Sequence, residues 1–150
     1  MIQVKKGLWR LCSDKVNDQI SNIEQAMQNA QAAANDETKS SAGDKYETGR
    51  AMMHLEKEKL ATQLAEALKM RRALDQIEAD KPESEVKLGT VVKTPMAQYF
   101  LSVSVGQVKY EGATYFAISP AAPIGRQMLG KKAGDRFSFG GKQVEILEVF

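Results

Sequence analysis

Apolar residues return every three or four positions along the first part of the chain: Trp9, Cys12, Val16, Ile20, Ile23, Met27, Ala30 and Ala34. That spacing keeps side chains on one helix face. It predicts a helix from about residues 5–7 to about residue 35, roughly 45 Å long at ~1.5 Å per residue. Its later part, 25–34, is rich in alanine and glutamine, which suits close approach of a second helix. From Asn35 to Gly43 the rhythm lapses and turn formers take over. Met53, Leu60, Leu64, Ala67 and Leu74 then resume it. Two such faces joined by a short turn fold back on each other as an antiparallel coiled-coil hairpin.

After Pro82, a helix-stopping residue in the polar run Asp80-Lys81-Pro82-Glu83-Ser84-Glu85, the period changes from helical to alternating. Residues 86–93, 99–105, 114–118 and 143–149 read as strands. Gly140-Gly141 reads as the turn feeding the last of them. Residues 122–129 form one short helix stopped at Gly130, with Pro123 near its first turn. The class is therefore α+β: a hairpin over 1–80 with its tip near 36–47, a linker at 81–85, and a small antiparallel sheet domain with one short helix over 86–150.

Charge and composition narrow the picture further. The net charge over 150 residues is +2, too small for a protein that coats nucleic acid through bulk electrostatics. Cys12 is the one cysteine and lies on the apolar stripe, so it reads as a buried, inert thiol with no internal disulfide. No apolar run reaches signal-peptide or membrane-spanning length, which points to a soluble cytoplasmic protein. His54 is the one histidine and has no Cys or His at ligand spacing.

Candidate chemistry concentrates in three places. Asp44 and Glu47 stand at the hairpin tip, with Asp36 and Glu37 nearby and Lys39 and Lys45 partly offsetting them. Three residues apart at a helix start, the pair matches a capping box. Two carboxylates at the end of a rod are equally a reach into another molecule's site, and spacing alone leaves both open. Lys69, Arg71 and Arg72 form a dense basic cluster that suits RNA or an acidic protein surface, although Glu56, Glu58 and Glu66 make much of this helix an ordinary solvated face. Ser119-Pro120-Ala121-Ala122-Pro123 is either a plain strand-to-helix connection or a rigid docking loop. The sheet domain carries no Ser/His/Asp set, P-loop, dinucleotide-binding glycine pattern or metal-ligand cluster.

Three motifs in this order resemble the bacterial Gre transcript-cleavage factors over nearly the full length. "GDKYET" resembles the family's Gly-Asp-x-x-Glu-Asn tip, and "LGTVV" the opening strand of its carboxy-terminal domain. "ISPAAPIGRQMLGKKAGDRFSFGGKQVEILEV" is similar to the closing segment, with a Ser-Pro loop, a helix ending in Gly-Lys, a Gly-Asp turn and a final strand. The resemblance implies a coiled-coil hairpin followed by an FKBP-like domain. It implies docking at the rim of the secondary channel of bacterial RNA polymerase through Ser119 and Pro120, and contact of Lys69, Arg71 and Arg72 with the nascent RNA. Asp44 and Glu47 would be donated to the polymerase active centre, where they help hold the second Mg²⁺ while the polymerase cleaves the RNA 3′ end. Such a factor binds no cofactor alone, is not itself an enzyme, and works as a monomer away from membranes.

The sequence departs from the family pattern beside the acids. Thr48 replaces an asparagine, Gly49 and Arg50 replace an Ala-Glu pair, and Ala51 replaces a tyrosine. Arg50 sets a positive charge close to the acids, so a secondary-channel regulator that binds polymerase without stimulating cleavage is the alternative reading. A prolyl isomerase is a third, with Tyr99, Phe100, Tyr110, Tyr115 and Phe116 as its aromatics, but these fall at strand positions where packing explains them.

Overall fold

The computed structural model describes residues 1–39 and 43–150, without the side chains of 37–39 and 43–47. Two long helices come first, α1 (Ile2–Lys39) and α2 (Gly43–Asp75). Seven strands and a short helix follow: β1 (Val91–Lys93), β2 (Gln98–Leu101), β3 (Gly106–Tyr110), β4 (Ala113–Ile118), α3 (Pro123–Met128), β5 (Arg136–Phe139), β6 (Lys142–Glu145) and β7 (Glu148–Val149). The α+β class and the order of hairpin then sheet match the sequence pattern. By packing, the chain divides into one unit of residues 1–15 with 71–150 and a second of 16–70. The division thus falls inside both helices, and the polar stretch 81–85 lies within the first unit.

In the second unit the two helices run antiparallel. Gln19 and Ile23 of α1 share a hollow with Ala67 and Met70 of α2, whereas Gln31 and Asn35 share one with Arg50, Met53 and Lys57. As numbers rise along α1 their neighbours fall along α2. The seam is the predicted one: Val16, Ala30, Leu60 and Ala67 are buried, and Ile20, Ile23, Met27, Met53 and Leu64 are half-buried between polar faces. Outside the seam, side-chain amide bonds one turn apart, Gln25 to Asn29 at 3.2 Å and Gln31 to Asn35 at 3.0 Å, support the solvated side of α1. α1 continues past Asn35 to Lys39, beyond the end that the apolar rhythm alone predicted.

The first unit is built on a five-stranded sheet in the order β3-β4-β2-β1-β7. It is mixed rather than antiparallel throughout, because β2 and β4 pair in parallel, with Phe100 opposite Ala117. The other pairings, β1 with β2, β1 with β7 and β3 with β4, are antiparallel. A parallel pair needs a crossover, and here the excursion through β3 supplies it. One face carries Val92, Leu101, Tyr99, Ile118 and Val149, packed with Met128 and Ile124 of α3 and with Phe137, Val144 and Ile146. Val91, Phe100, Val108, Tyr115 and Ala117 line the opposite face and are also buried.

The start of α1 comes to that second face. A Cβ on Gly7 would drive into the ring of Tyr110, which shares its face with Val108, so a larger residue there would require that ring to move. Farther along, the Cys12 thiol lies 3.9 Å from the Ser102 hydroxyl, and Lys15 Nζ donates to the Gln107 carbonyl at 2.8 Å. Cys12 is fully buried, as expected, and burial pushes its thiol pKa up despite the hydrogen bond with Ser102.

Three strand assignments need correction. Of 99–105 only the part through Leu101 is strand, within β2. The stretch 143–149 is two strands in different sheets: β6 pairs with β5, and β7 pairs with β1. Between them the Ile146 amide donates to the Asp135 carbonyl at 2.8 Å and the Leu147 amide to the Lys93 carbonyl at 2.8 Å, so the ladder changes partner at a single residue step. At the other end, only Val91–Lys93 of 86–93 is strand. Val86 instead donates from its amide to the Lys131 carbonyl at 2.8 Å, and the Gly89 amide donates to the Leu101 carbonyl at 2.6 Å. The Gly140-Gly141 turn joins β5 to β6 with φ of 59° and 78°, the left-handed pair that a two-residue hairpin uses.

Burial separates leucines of identical chemistry. Leu74→Ala, at a site 0% exposed, is expected to lower stability by about 2–5 kcal/mol through lost contacts and a cavity. Leu55→Ala, at a site 63% exposed, is expected to stay within ~0.5 kcal/mol of wild type. Denaturant midpoints at constant m-value check the pair, and the reverse ranking would mean that the register of α2 is wrong.

Candidate functional site

The tip acids come first in the sequence argument. Asp44 and Glu47 fall in the opening turns of α2, at the point where the hairpin passes from one helix to the other. Their side chains lie outside the described residues. Asp36 and Arg50, both exposed, have interactions of their own. Among the described residues no group of three or more His, Cys, Asp or Glu side chains is placed to hold a metal ion. His54 is exposed and lies 3.1 Å from Glu58 one turn away, an ordinary helix-surface pair.

The basic cluster does not act as three equivalent charges. Arg71 turns inward: Nη1 donates to the Ser13 hydroxyl at 2.6 Å, Nη2 to the Asp75 carboxylate at 2.8 Å, and the guanidinium lies 5.6 Å from the centre of the Trp9 ring. Trp9 in turn donates its indole N–H to the Leu74 carbonyl at 2.8 Å. These bonds fasten α1 to α2 within the first unit. A planar guanidinium that donates in two directions and stacks on an indole suits the task, and a lysine ammonium does not. Arg71 is thus a structural residue, whereas Lys69 and Arg72 are exposed.

The first unit also holds a buried cation. Lys5 is 1% exposed and donates from Nζ to the Lys81 carbonyl at 2.6 Å. Burial lowers its pKa, opposed by Glu83, reinforced by Lys87 and opposed again by Asp80. Glu83 is itself held below the usual carboxylate range, first by its bond to Lys87, whose ammonium lies 2.7 Å away. The polar stretch 81–85 is therefore tied down by side chains from both directions, a role that its composition did not reveal.

The Ser119–Pro123 segment is the most completely specified polar feature of the sheet domain. Ser119 follows directly on β4. Its amide donates to the Ser104 hydroxyl at 3.0 Å, its own hydroxyl accepts the Ala121 amide at 3.1 Å, and its carbonyl accepts the Ala122 amide at 3.0 Å. The last bond closes a four-residue turn with Pro120 in the second position, where its fixed φ is favoured. Ala122 then caps α3 with extended backbone, and Pro123 occupies the first helical turn, as expected from the missing N–H. Arg126 reaches back from α3 and donates from Nε to the Ala121 carbonyl at 2.7 Å.

Gly125 completes the enclosure. A Cβ there would collide with the Ser119 carbonyl oxygen and lie 3.1 Å from Pro120 Cα, both backbone atoms that cannot step aside. The turn presents Ala121 and Pro123 to solvent, with Ser119 and Pro120 half-buried. Sequence reasoning found Ser119 and Pro120 and missed the residues that hold them. Ser104 precedes the turn by fifteen positions, and Arg126 reads in sequence as one more solvated charge on a short helix.

The aromatics of the isomerase reading are accounted for by packing. Phe100 and Tyr115 are buried, and Tyr99 and Phe116 meet as a tilted pair with centroids 6.1 Å apart. Burial raises the pKa of Tyr99 and of Tyr115, as an apolar setting does for a phenol. A groove of about 470 Å³ runs past Lys93, Thr94, Met96, Phe116 and Leu147.

Comparison with known proteins is spare. No family model matches the chain, and no curated protein matches it. A solved structure described as that of the transcription factor Gfh1 is similar over 93% of each chain, at 16% identity and a TM-score of 0.37. A score that low does not establish a common fold, so the assignment of elements rests on the hydrogen bonds and packing described above. No helix among the described residues is long and apolar enough to cross a membrane.

Two substitutions separate structural roles from surface ones. Gly125→Ala is expected to lower stability by about 1–3 kcal/mol, because the added methyl has only backbone to meet, and thermal unfolding reads the loss. Arg71→Ala is expected to lose about 1–3 kcal/mol by leaving the buried Ser13 hydroxyl without its donor. Arg72→Ala is expected to change stability by less than ~0.5 kcal/mol. Equal effects of the two arginine substitutions would contradict the inward role of Arg71.

Proposed function

We propose that this chain is a transcription elongation factor that binds bacterial RNA polymerase through its secondary channel and stimulates cleavage of backtracked transcripts. The observation that carries the reading is the hairpin: α1 and α2 run antiparallel, and the Gly-Asp-Lys-Tyr-Glu-Thr motif stands where one gives way to the other. Within the second unit the paired helices extend for about 36 Å at ~1.5 Å per residue, a reach suited to a narrow channel. The ordered Ser119–Ala122 turn supports a separate contact at the channel rim.

On this reading the chain is an accessory factor and the polymerase is the enzyme. Asp44 and Glu47 contribute carboxylate oxygens, the donor type that Mg²⁺ takes, to a centre that the polymerase completes. When bound there, the ion offsets charge on the oxygens of the RNA phosphate being cleaved. Lys69 and Arg72 remain available for the transcript 3′ segment, and Arg71 holds the base of the hairpin. A monomeric cytoplasmic factor fits this role.

Arg50 favours one alternative. It is exposed on α2 within two turns of the acids, where it replaces an acidic residue of the pattern that the tip resembles. A positive charge there opposes retention of a metal ion and suits a regulator that occupies the channel without promoting cleavage.

The two readings divide on a stalled, backtracked elongation complex supplied with the purified protein and Mg²⁺. Release of short 3′ RNA fragments supports cleavage stimulation, and binding without fragments supports the regulator. Asp44→Asn retains an oxygen for the helix start and removes the charge. It is expected to leave polymerase affinity near wild type and to reduce stimulated cleavage tenfold or more, a loss of about 1.4 kcal/mol in transition-state stabilisation. Raising Mg²⁺ is expected to restore part of the rate. A variant that cleaves at the wild-type rate in limiting Mg²⁺ would leave Asp44 as a helix-start residue only.

A further inference from the structure

The Ser119–Ala122 turn owes its shape to side chains outside it. Its own Ser119 hydroxyl and carbonyl close the loop locally, but local bonds of this kind form and break readily in exposed turns. Two contacts come from elsewhere: the Ser104 hydroxyl on the Ser119 amide at 3.0 Å, and Arg126 Nε on the Ala121 carbonyl at 2.7 Å. The second is charge-assisted, and such bonds are stronger than neutral ones. It also doubles a connection already made by the backbone, since the Arg126 amide donates to the Ala122 carbonyl at 2.9 Å. Arg126 therefore grips two successive carbonyls of the turn, one with its main chain and one with its side chain.

The geometry points to Arg126 as a positioning residue, with Ser104 as its counterpart, that holds the Ser119–Ala122 turn in a binding-ready shape before any partner arrives. This rests on the reading of Ser119 and Pro120 as the polymerase-docking residues. A surface turn that is ordered beforehand loses less conformational freedom on association, and that saving appears as affinity. Gly125 leaves the space in which the grip is made, because any larger residue would push α3 away from the Ser119 carbonyl. The side chain of Arg126 is exposed, and its bond is to a turn rather than to the core. Losing it loosens the turn without unfolding the sheet.

The test uses the full chain with Arg126→Ala, Arg126→Gln and Pro120→Gly, alone and combined. Arg126→Ala is expected to keep the wild-type melting temperature, to speed hydrogen exchange at the Ala121 and Ala122 amides, and to weaken polymerase binding roughly three- to tenfold. Cleavage at saturating factor is expected to be unchanged. Arg126→Gln retains an N–H donor of similar reach without the charge, and is expected to recover most of the affinity and the slow exchange. Combined with Pro120→Gly, which loosens the turn independently, Arg126→Ala is expected to add little further loss. If Arg126→Gln binds as poorly as Arg126→Ala, or if the two losses simply add, the arginine touches the polymerase by its charge and the positioning role is overturned. Unchanged amide exchange in Arg126→Ala would overturn it as well. If instead the wild-type chain has no affinity for polymerase, or Pro120→Gly binds as tightly as wild type, the docking reading itself fails, and amide exchange in the free protein still decides whether Arg126 orders the turn.

Discussion

The packing of Trp9 and Arg71 at the base of the hairpin is the interaction on which the first unit depends. Long helices are held chiefly by tertiary contacts rather than by intrinsic propensity. At their base α1 and α2 add a polar clasp to the buried Leu8 and Leu74. Arg71 bonds Ser13 and Asp75 and lies over the Trp9 ring, while the Trp9 indole bonds the Leu74 carbonyl. The guanidinium and the indole N–H each find acceptors across or along the helices, so a half-buried polar group fixes the register between them. With that register set, Leu8, Cys12 and Leu74 are fully buried, and Gly7 can meet Tyr110 on the sheet.

Helix α1 also covers one edge of the sheet. A five-stranded sheet with β3 at its edge exposes backbone groups that invite pairing with another chain. Lys15 of α1 takes the Gln107 carbonyl on that strand, and Tyr110 at its end is covered by α1 at Gly7. At the opposite edge β7 is only two residues long, with Glu148 half-buried and 3.8 Å from Lys93. Short, charged or covered edges are the usual means of avoiding strand-to-strand association, and both edges here use one.

Sequence periodicity revealed what repeats and missed what occurs once. The helical seam was legible because several side chains share one face, and nearly every position assigned to it is buried or half-buried. β4 was legible because Tyr115 and Ala117 alternate with less buried neighbours. β3 and β5 were not, since each has one buried residue, Val108 and Phe137, among exposed ones, too little to establish a period of two. The break at Ile146-Leu147 did leave a sign: two apolar residues in succession shift the phase of the alternation, so Val149 falls out of step with Val144 and Ile146, and there the backbone groups change partner.

The candidate sites follow the same division. A basic cluster is visible in sequence, but the direction of each side chain is not, and Trp9 and Ser13, more than fifty positions away, decide that Arg71 faces inward. Ser119-Pro120 announces a turn by composition, because serine and proline have turn chemistry of their own. Whether that turn is firm depends on Ser104 and Arg126, which ordinary propensity would place on a loop and on a solvated helix face. The space around Gly125 adds a constraint with no local sign at all, since the atoms that forbid a side chain there belong to residues five and six positions earlier. A turn is therefore recognised from its own residues, but its rigidity is a property of its neighbours, here Ser104 and Arg126.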